Sequence, residues 1–440
     1  MNKLYPFLLG ITLTALSLAS CKKDADVVAP GTEPPGPSAP VGAVTPVAAP
    51  DGAIITATIG PAGGTIESAD KRLRVSVPAG ALTANQTLSV QPLTKNNCPQ
   101  GTGMAFRLLP HGLTFAKPAT LTIQYNEQDI NGSAPQLLRI AYQTDKGHWQ
   151  SPATKGIDTT ARTVTVQTTH FSDWGLFQQM VITPDQAFVN LSEEVELKVL
   201  EVPLKDYGEE LLVAIPSYLS TQYIEKWTLR GAGTLAHQHN KGNYYAPATI
   251  PATNPAAITV FLNKSTTING QLFKDLRLVS NIYVMPEGIT FRINGGKWVH
   301  TLAAARVIGQ QGRGYLNMVG GTAADEARWG VSVLSHQIPP ETEGNLATNA
   351  AGMVMPWLVD PTSPAFYLSD QKEDMSYQHY YPVGRVFHPS PGALTFYRFG
   401  KVGTYVIGKF ELQKAGMYSD TKGYLGTARI EGFFRMKREV

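Results

Sequence analysis

The chain has 440 residues, with 37 Lys plus Arg against 34 Asp plus Glu, and only 16% of it is charged. This near-neutral balance excludes a nucleic-acid binder that works through a basic surface, and also a chain held open by its own charge. The length suits about two to four domains, the 43% hydrophobic content supports packed cores, and 41 Gly and 31 Pro without heptads exclude a coiled coil or an all-helical protein.

Residues 1–20 have the parts of a secretory signal. Lys3 supplies the positive start, and residues 7–18 form an apolar run too short for a membrane span, which needs ~20 residues. The run ends in Leu18-Ala19-Ser20-Cys21, which resembles the lipobox of bacterial lipoproteins. The resemblance implies that Cys21 is lipidated (palmitate-type acyl chains), that the signal is cut before it, and that the membrane is a partner through those chains. Two or three chains hold a protein stably where one does not. The start Cys21-Lys22-Lys23-Asp24 resembles that of Bacteroidetes-type lipoproteins, so the expected location is the bacterial outer membrane, at the cell surface. Residues 21–52 are expected to be a tether. Pro30, Pro34, Pro35, Pro37, Pro40, Pro46 and Pro50 among small residues favour an extended, semi-rigid spacer. The only other cysteine is Cys98, so no disulfide is expected; Cys98 reads as a buried residue more readily than as a reactive thiol.

The rest reads as all-β: tandem β-sandwich modules carried on the lipidated tether. Residues 53–178 alternate with period two in Arg72-Leu73-Arg74-Val75-Ser76-Val77, Thr87-Leu88-Ser89-Val90, Ala119-Thr120-Leu121-Thr122-Ile123 and Thr163-Val164-Thr165-Val166, with Gly and Pro between. That pattern predicts an antiparallel sandwich. The order Gly60-Pro61-Ala62-Gly63-Gly64, Val77-Pro78-Ala79-Gly80-Ala81-Leu82, Leu109-Pro110-His111-Gly112-Leu113 and His170-Phe171-Ser172-Asp173-Trp174 resembles a ZU5-type domain. The resemblance covers about 125 of the 440 residues and implies an interaction or structural module. His170-Phe171-Ser172 also resembles the self-cleavage site of certain ZU5 domains. There the serine hydroxyl attacks the preceding carbonyl, and the N-to-O acyl shift leaves an ester that water cleaves. The reaction needs a base beside the hydroxyl and a strained peptide bond. On a strand His170 and Ser172 share a face, so these three residues are the candidate catalytic set. The alternative is that His170 and Phe171 close a strand and Trp174 fills core.

Residues 180–285 open with Val181-Ile182-Thr183-Pro184 and Val195-Glu196-Leu197-Lys198-Val199. Trp227, then Gly231-Ala232-Gly233, then Tyr244-Tyr245-Ala246-Pro247 follow in an order that resembles bacterial Ig-like domains. His237 and His239 share a strand face and form half of a zinc-site pattern. No further ligand is evident nearby, and two polar residues at a hairpin tip are the preferred reading, with no metal expected.

Residues 288–440 are expected to form a C-terminal antiparallel β domain. Gly295-Gly296 signals a tight turn, and the last fifty residues carry three glycine-separated strands. The pattern resembles the C-terminal β domain of uncharacterised Bacteroidetes lipoproteins. Tyr377, Tyr380 and Tyr381, with His379, Phe387 and His388, form an aromatic cluster. Exposed, these tyrosines would stack on a ligand; buried, they are core. No phosphate loop, Rossmann glycine pattern, His-Glu-x-x-His or Gly-x-Ser-x-Gly occurs. The expected function is a non-catalytic binding or structural lipoprotein with a glycan or protein ligand, no nucleic acid and no cofactor. The alternatives are self-cleavage between Phe171 and Ser172, or a hydrolytic site in the C-terminal domain.

Overall fold

The computed structural model describes residues 42–207, 210–263, 266–268, 271–273, 275–310, 313–321, 328–338, 353–359, 364–400 and 402–439. They are almost entirely β. The helices among the described residues are three single turns, Gln128–Ile130, Pro135–Leu137 and Thr221–Tyr223.

In the first module the two-residue period does what alternation dictates. Strand Leu73–Val77 buries Leu73, Val75 and Val77, and strand Thr163–His170 buries Val164 and Val166. A five-stranded sheet containing both faces an eight-stranded sheet that includes Gly101–Leu109, Asp173–Gln178 and Leu138–Gln143. Leu88, Phe106, Leu121, Ile140 and Trp174 fill the space between them.

Two segments depart from the expected boundaries. The hairpin Leu204–Tyr207 with Glu210–Val213 belongs to the first module's large sheet, where Leu211 and Leu212 pair with Ser151 and Gln150. Residues 42–51, expected to be tether, run along that same sheet with Ala43 and Ala48 buried. Proline removes donors, but the residues between the prolines keep theirs. Ala43 N donates to Val213 O, Thr45 N to Gly147 O and Asp51 N to Pro92 O. The Trp149 indole and the Gln143 amide both donate to Thr45 Oγ1.

The second module is a sandwich. Met180–Thr183, Glu194–Glu201, Lys241–Tyr245 and Thr234–Gln238 form one sheet; Gln186–Val189, Arg277–Val284, Ala256–Leu262 and Ile224–Arg230 form the other. Leu197, Val199, Trp227, Tyr244, Ile258 and Leu278 make its core. Gly233 has a φ of +99°, and a Cβ there would lie 2.6 Å from the Tyr244 ring; Tyr244 in turn donates to Ala232 O at 2.8 Å. The turn glycine and the core tyrosine thus specify one another.

The third module closes on itself. Gly288–Ile293, Val299–Gln310, Arg313–Gly321, Trp329–Ile338, Ala365–Asp370, Met375–Gln378, Tyr405–Ser419 and Gly423–Lys437 pair in sequence as antiparallel neighbours, and the last pairs back to the first. The result is an eight-stranded barrel among the described residues. Tyr405–Ser419 is long enough to hold Met375–Gln378 along one half and Gly392–Phe399 along the other half of the same edge. Phe291, Leu316, Val333, Phe366, Phe410, Ile430 and Phe434 point inward and fill the interior, as the width of an eight-stranded barrel allows. Outward positions on three adjacent strands carry Arg292, Glu431, Arg429 and Glu411 as an ion-paired ladder. The tight turn expected at Gly295-Gly296 sits one residue earlier. Asn294 and Gly295 take the positive φ values of +50° and +71°, and Gly296 N donates to Ile293 O.

Candidate functional site

Of the residues singled out in the sequence, Cys21 lies outside the described residues. His170, Phe171 and Ser172 are in place, but not as members of one strand. Strand Thr163–His170 ends in the five-stranded sheet and Asp173–Gln178 begins in the other, so Phe171 and Ser172 are the crossover between two sheets. The shared-face expectation for His170 and Ser172 therefore does not apply. The His170 ring stands 4.4 Å from that of Tyr142 and stacks on Trp174 at 5.7 Å. Phe171 is 2% exposed and meets Phe115 edge-on. The Ser172 hydroxyl donates to the Gln143 carbonyl, and Ser172 O accepts from Leu108 N. The next residue, Asp173, takes a bidentate pair from Arg107 at 2.8 and 2.7 Å and has His111 at 3.3 Å.

Tyr377 is a barrel-core residue, 7% exposed, because its position on Met375–Gln378 points inward. It offers no face to a ligand. Tyr380 and Tyr381 lie half-buried on a separate hairpin, Tyr380–Val383 with Val386–Pro389, where Phe387 packs on Tyr380 and Lys414 lies over Tyr381. His237 stacks on Trp227, and His239 occupies the hairpin turn with a φ of +55°, its carbonyl accepting from the Trp227 indole. Cys98 is buried among Ala141, Trp149 and Phe177, and burial pushes its thiol well up.

An open site that the sequence patterns did not single out lies where the second module meets the barrel wall. It is a cleft of about 210 Å³. Its apolar side is built from Tyr283 on Arg277–Val284, Tyr397 on Gly392–Phe399, Trp298 just before Val299–Gln310, and Phe433 on Gly423–Lys437. Tyr283 and Tyr397 lie 5.1 Å apart, and Trp298 and Phe433 5.4 Å apart. Tyr397 is aimed here by a register shift between Phe396 and Arg398; an extra residue in one strand re-aims a side chain out of the ladder. Burial and the neighbouring Tyr283 raise the Tyr397 phenol far above the ordinary tyrosine range.

The polar side is the charged ladder. Arg292 Nε donates to Glu431 at 2.6 Å, and its guanidinium lies 4.4 Å above the Trp298 ring. Glu411 and Glu431 are direct cross-strand partners, a repulsive arrangement by itself. Arg429 bridges both, at 3.2 and 3.4 Å. Lys409 also lines the cleft. The Trp298 indole N–H is buried with no hydrogen-bond partner. Flat apolar rings beside fixed donors and acceptors can hold a ligand that has an apolar face and a polar rim.

One signal in the sequence does mark these positions. Adjacent aromatics on a half-buried strand must point to opposite sides. Phe396-Tyr397 and Phe433-Phe434 each put one ring in the barrel and one on its wall. No protein-family model matches this sequence, and no curated protein matches it at a significant level.

Proposed function

We propose that this chain is a non-catalytic binding protein, held at the outer membrane by acyl chains on Cys21, and that it takes one ring of a saccharide in the cleft between the second module and the barrel. The aromatic wall of that cleft carries the reading. The C–H face of a sugar ring packs on flat aromatic side chains, and its hydroxyls meet Arg292, Glu411 and Lys409 at the rim. The volume is below the ~300 Å³ at which pockets for drug-sized ligands begin, so a terminal unit fits better than the middle of a chain. The two carboxylates at the rim, Glu411 and Glu431, are both held in ion pairs by Arg292 and Arg429, which supports binding rather than turnover.

The test is a panel of oligosaccharides titrated against residues 22–440, read by calorimetry and by tryptophan fluorescence. Trp298→Ala and Tyr397→Ala are each expected to weaken the binding by about ten-fold or more, the effect of losing ~1.4 kcal/mol of contact. Absence of saccharide binding, or undiminished binding in both variants, would sink the reading.

A further inference from the structure

A second cavity, of about 450 Å³, lies between the first and second modules. It differs from the saccharide cleft in its chemistry. Aromatic faces give way to uncommitted polar groups. Tyr125, one of the lining residues, is 3% exposed, and its hydroxyl is buried with no hydrogen-bond partner. Buried polar atoms are almost always paired, so an orphan of this kind needs an account. Burial raises its phenol above the ordinary tyrosine range, so it stays protonated and serves as a neutral donor and acceptor.

The charges around it do not cancel. Three charged side chains line the cavity. Glu127 and Arg162 neutralise one another at 2.9 Å. That leaves the Asp185 carboxylate, which has no ion-pair or hydrogen-bond partner among the described residues. The side-chain amides of Asn131 and Asn281 line the same space and are equally uncommitted. Their backbones, by contrast, are fixed. Gln178 Nε2 donates to Asn131 O, Asn281 N to Asp185 O, Ile182 N to Gly132 O, and Ser133 Oγ to Met180 O. Gly132, at a φ of +73°, lets the loop close on this strand: a Cβ there would lie 2.6 Å from Ile182 O and 2.8 Å from Asp185 Cβ. A site whose backbone is already fixed loses little ordering entropy when it binds.

We propose that this cavity binds a small hydroxylated amine, of the amino-sugar class, with its ammonium on Asp185 and its hydroxyls on Tyr125, Asn131 and Asn281. An ammonium offers three donors and no acceptor, which matches a carboxylate and amide oxygens. The amide N–H groups and the Tyr125 hydroxyl then serve the ligand's oxygens. A hard divalent cation would require several carboxylates and carbonyls, and among the described residues no cluster of three metal-ligating side chains occurs.

The test compares D-glucosamine with D-glucose, two probes of equal size that differ by an ammonium in place of a hydroxyl. They are titrated calorimetrically into residues 22–440 at about pH 6.5, where an amine stays protonated. Glucosamine is expected to bind about ten-fold tighter or more. Asp185→Asn, nearly the same shape without the charge, removes that preference. Both probes are also titrated into Trp298→Ala, in which the saccharide cleft is weakened, so the preference that remains there belongs to this cavity. Tyr125→Phe removes one unpartnered atom and no contact, so it folds at least as stably as the parent and binds glucosamine several-fold more weakly. Equal binding of the two probes, no binding of glucosamine, a preference that survives Asp185→Asn, or full affinity in Tyr125→Phe would each overturn the proposal.

Discussion

The Phe171–Ser172 crossover and the cleft on the barrel wall make opposite use of polar and aromatic side chains. At the crossover a recognisable tripeptide is consumed by the fold: the serine hydroxyl is given to a backbone carbonyl, the histidine ring to two aromatic neighbours, and Asp173 to Arg107. At the cleft no two functional residues form a motif, yet the rings stay open at one side and the indole of Trp298 keeps its donor free. A local pattern announces chemistry only if the fold leaves its atoms uncommitted, and that depends on what the neighbouring strands bring.

The sharpest way to break this comparison is to remove one tryptophan from each place. Trp174 is fully buried between the sheets, so Trp174→Ala is expected to cost about 3–5 kcal/mol, read by urea unfolding. Trp298→Ala, half-buried, costs about 1–2 kcal/mol and acts mainly on saccharide binding. Comparable losses of stability would erase the distinction. Arginines sharpen it next. Arg107→Ala strands the Asp173 carboxylate, whose side chain is 4% exposed, and is expected to cost about 3 kcal/mol. Arg292→Ala, in a pair about a quarter exposed on both sides, costs about 1 kcal/mol or less.

A smaller effect is expected from Ser172→Ala, about 1 kcal/mol, since it removes the bond from the serine hydroxyl to the Gln143 carbonyl. Intact-mass measurement of the unsubstituted chain should give one species. Two fragments meeting at Phe171 and Ser172 would show that the crossover is a processing site after all. The smallest effect concerns pH. His300 is half-buried beside Thr290, at 2.9 Å, and burial lowers its imidazole below the ordinary range. The unfolded chain therefore takes up its proton at higher pH than the folded one, so stability falls as pH drops through about 6.5 toward the depressed folded value. A shallower decline of the melting temperature across that window in His300→Gln is the expected reading.

Much of the all-β architecture was legible because alternation is local. Leu73, Val75, Val77, Val164 and Val166 face inward as their spacing requires, whereas the core around Trp227 also takes in Ala134 and Leu137 from far upstream in the chain. The rest depends on pairing between distant strands. Closure of the barrel rests on Gly288 opposite Arg435, a contact that no window of sequence contains. The inward turn of Tyr377 follows from the same register. Residues 42–51 read as spacer from their prolines, but the donors between the prolines find Val213, Gly147 and Pro92, all far away in the chain. The cleft assembles residues from Ala252 to Phe433, and only the doubled aromatics hint at it.

The hairpin Leu204–Tyr207 with Glu210–Val213 has a consequence for how the molecule can be taken apart. The chain lays down three strands of the second sandwich, leaves to extend the first module's sheet, and then returns to finish the second. No single cut in the backbone divides the two modules. A protease that nicks between residues 178 and 180 leaves both halves interlocked, and heat should melt the pair in one cooperative step, because neither module can be completed from a continuous stretch of its own chain.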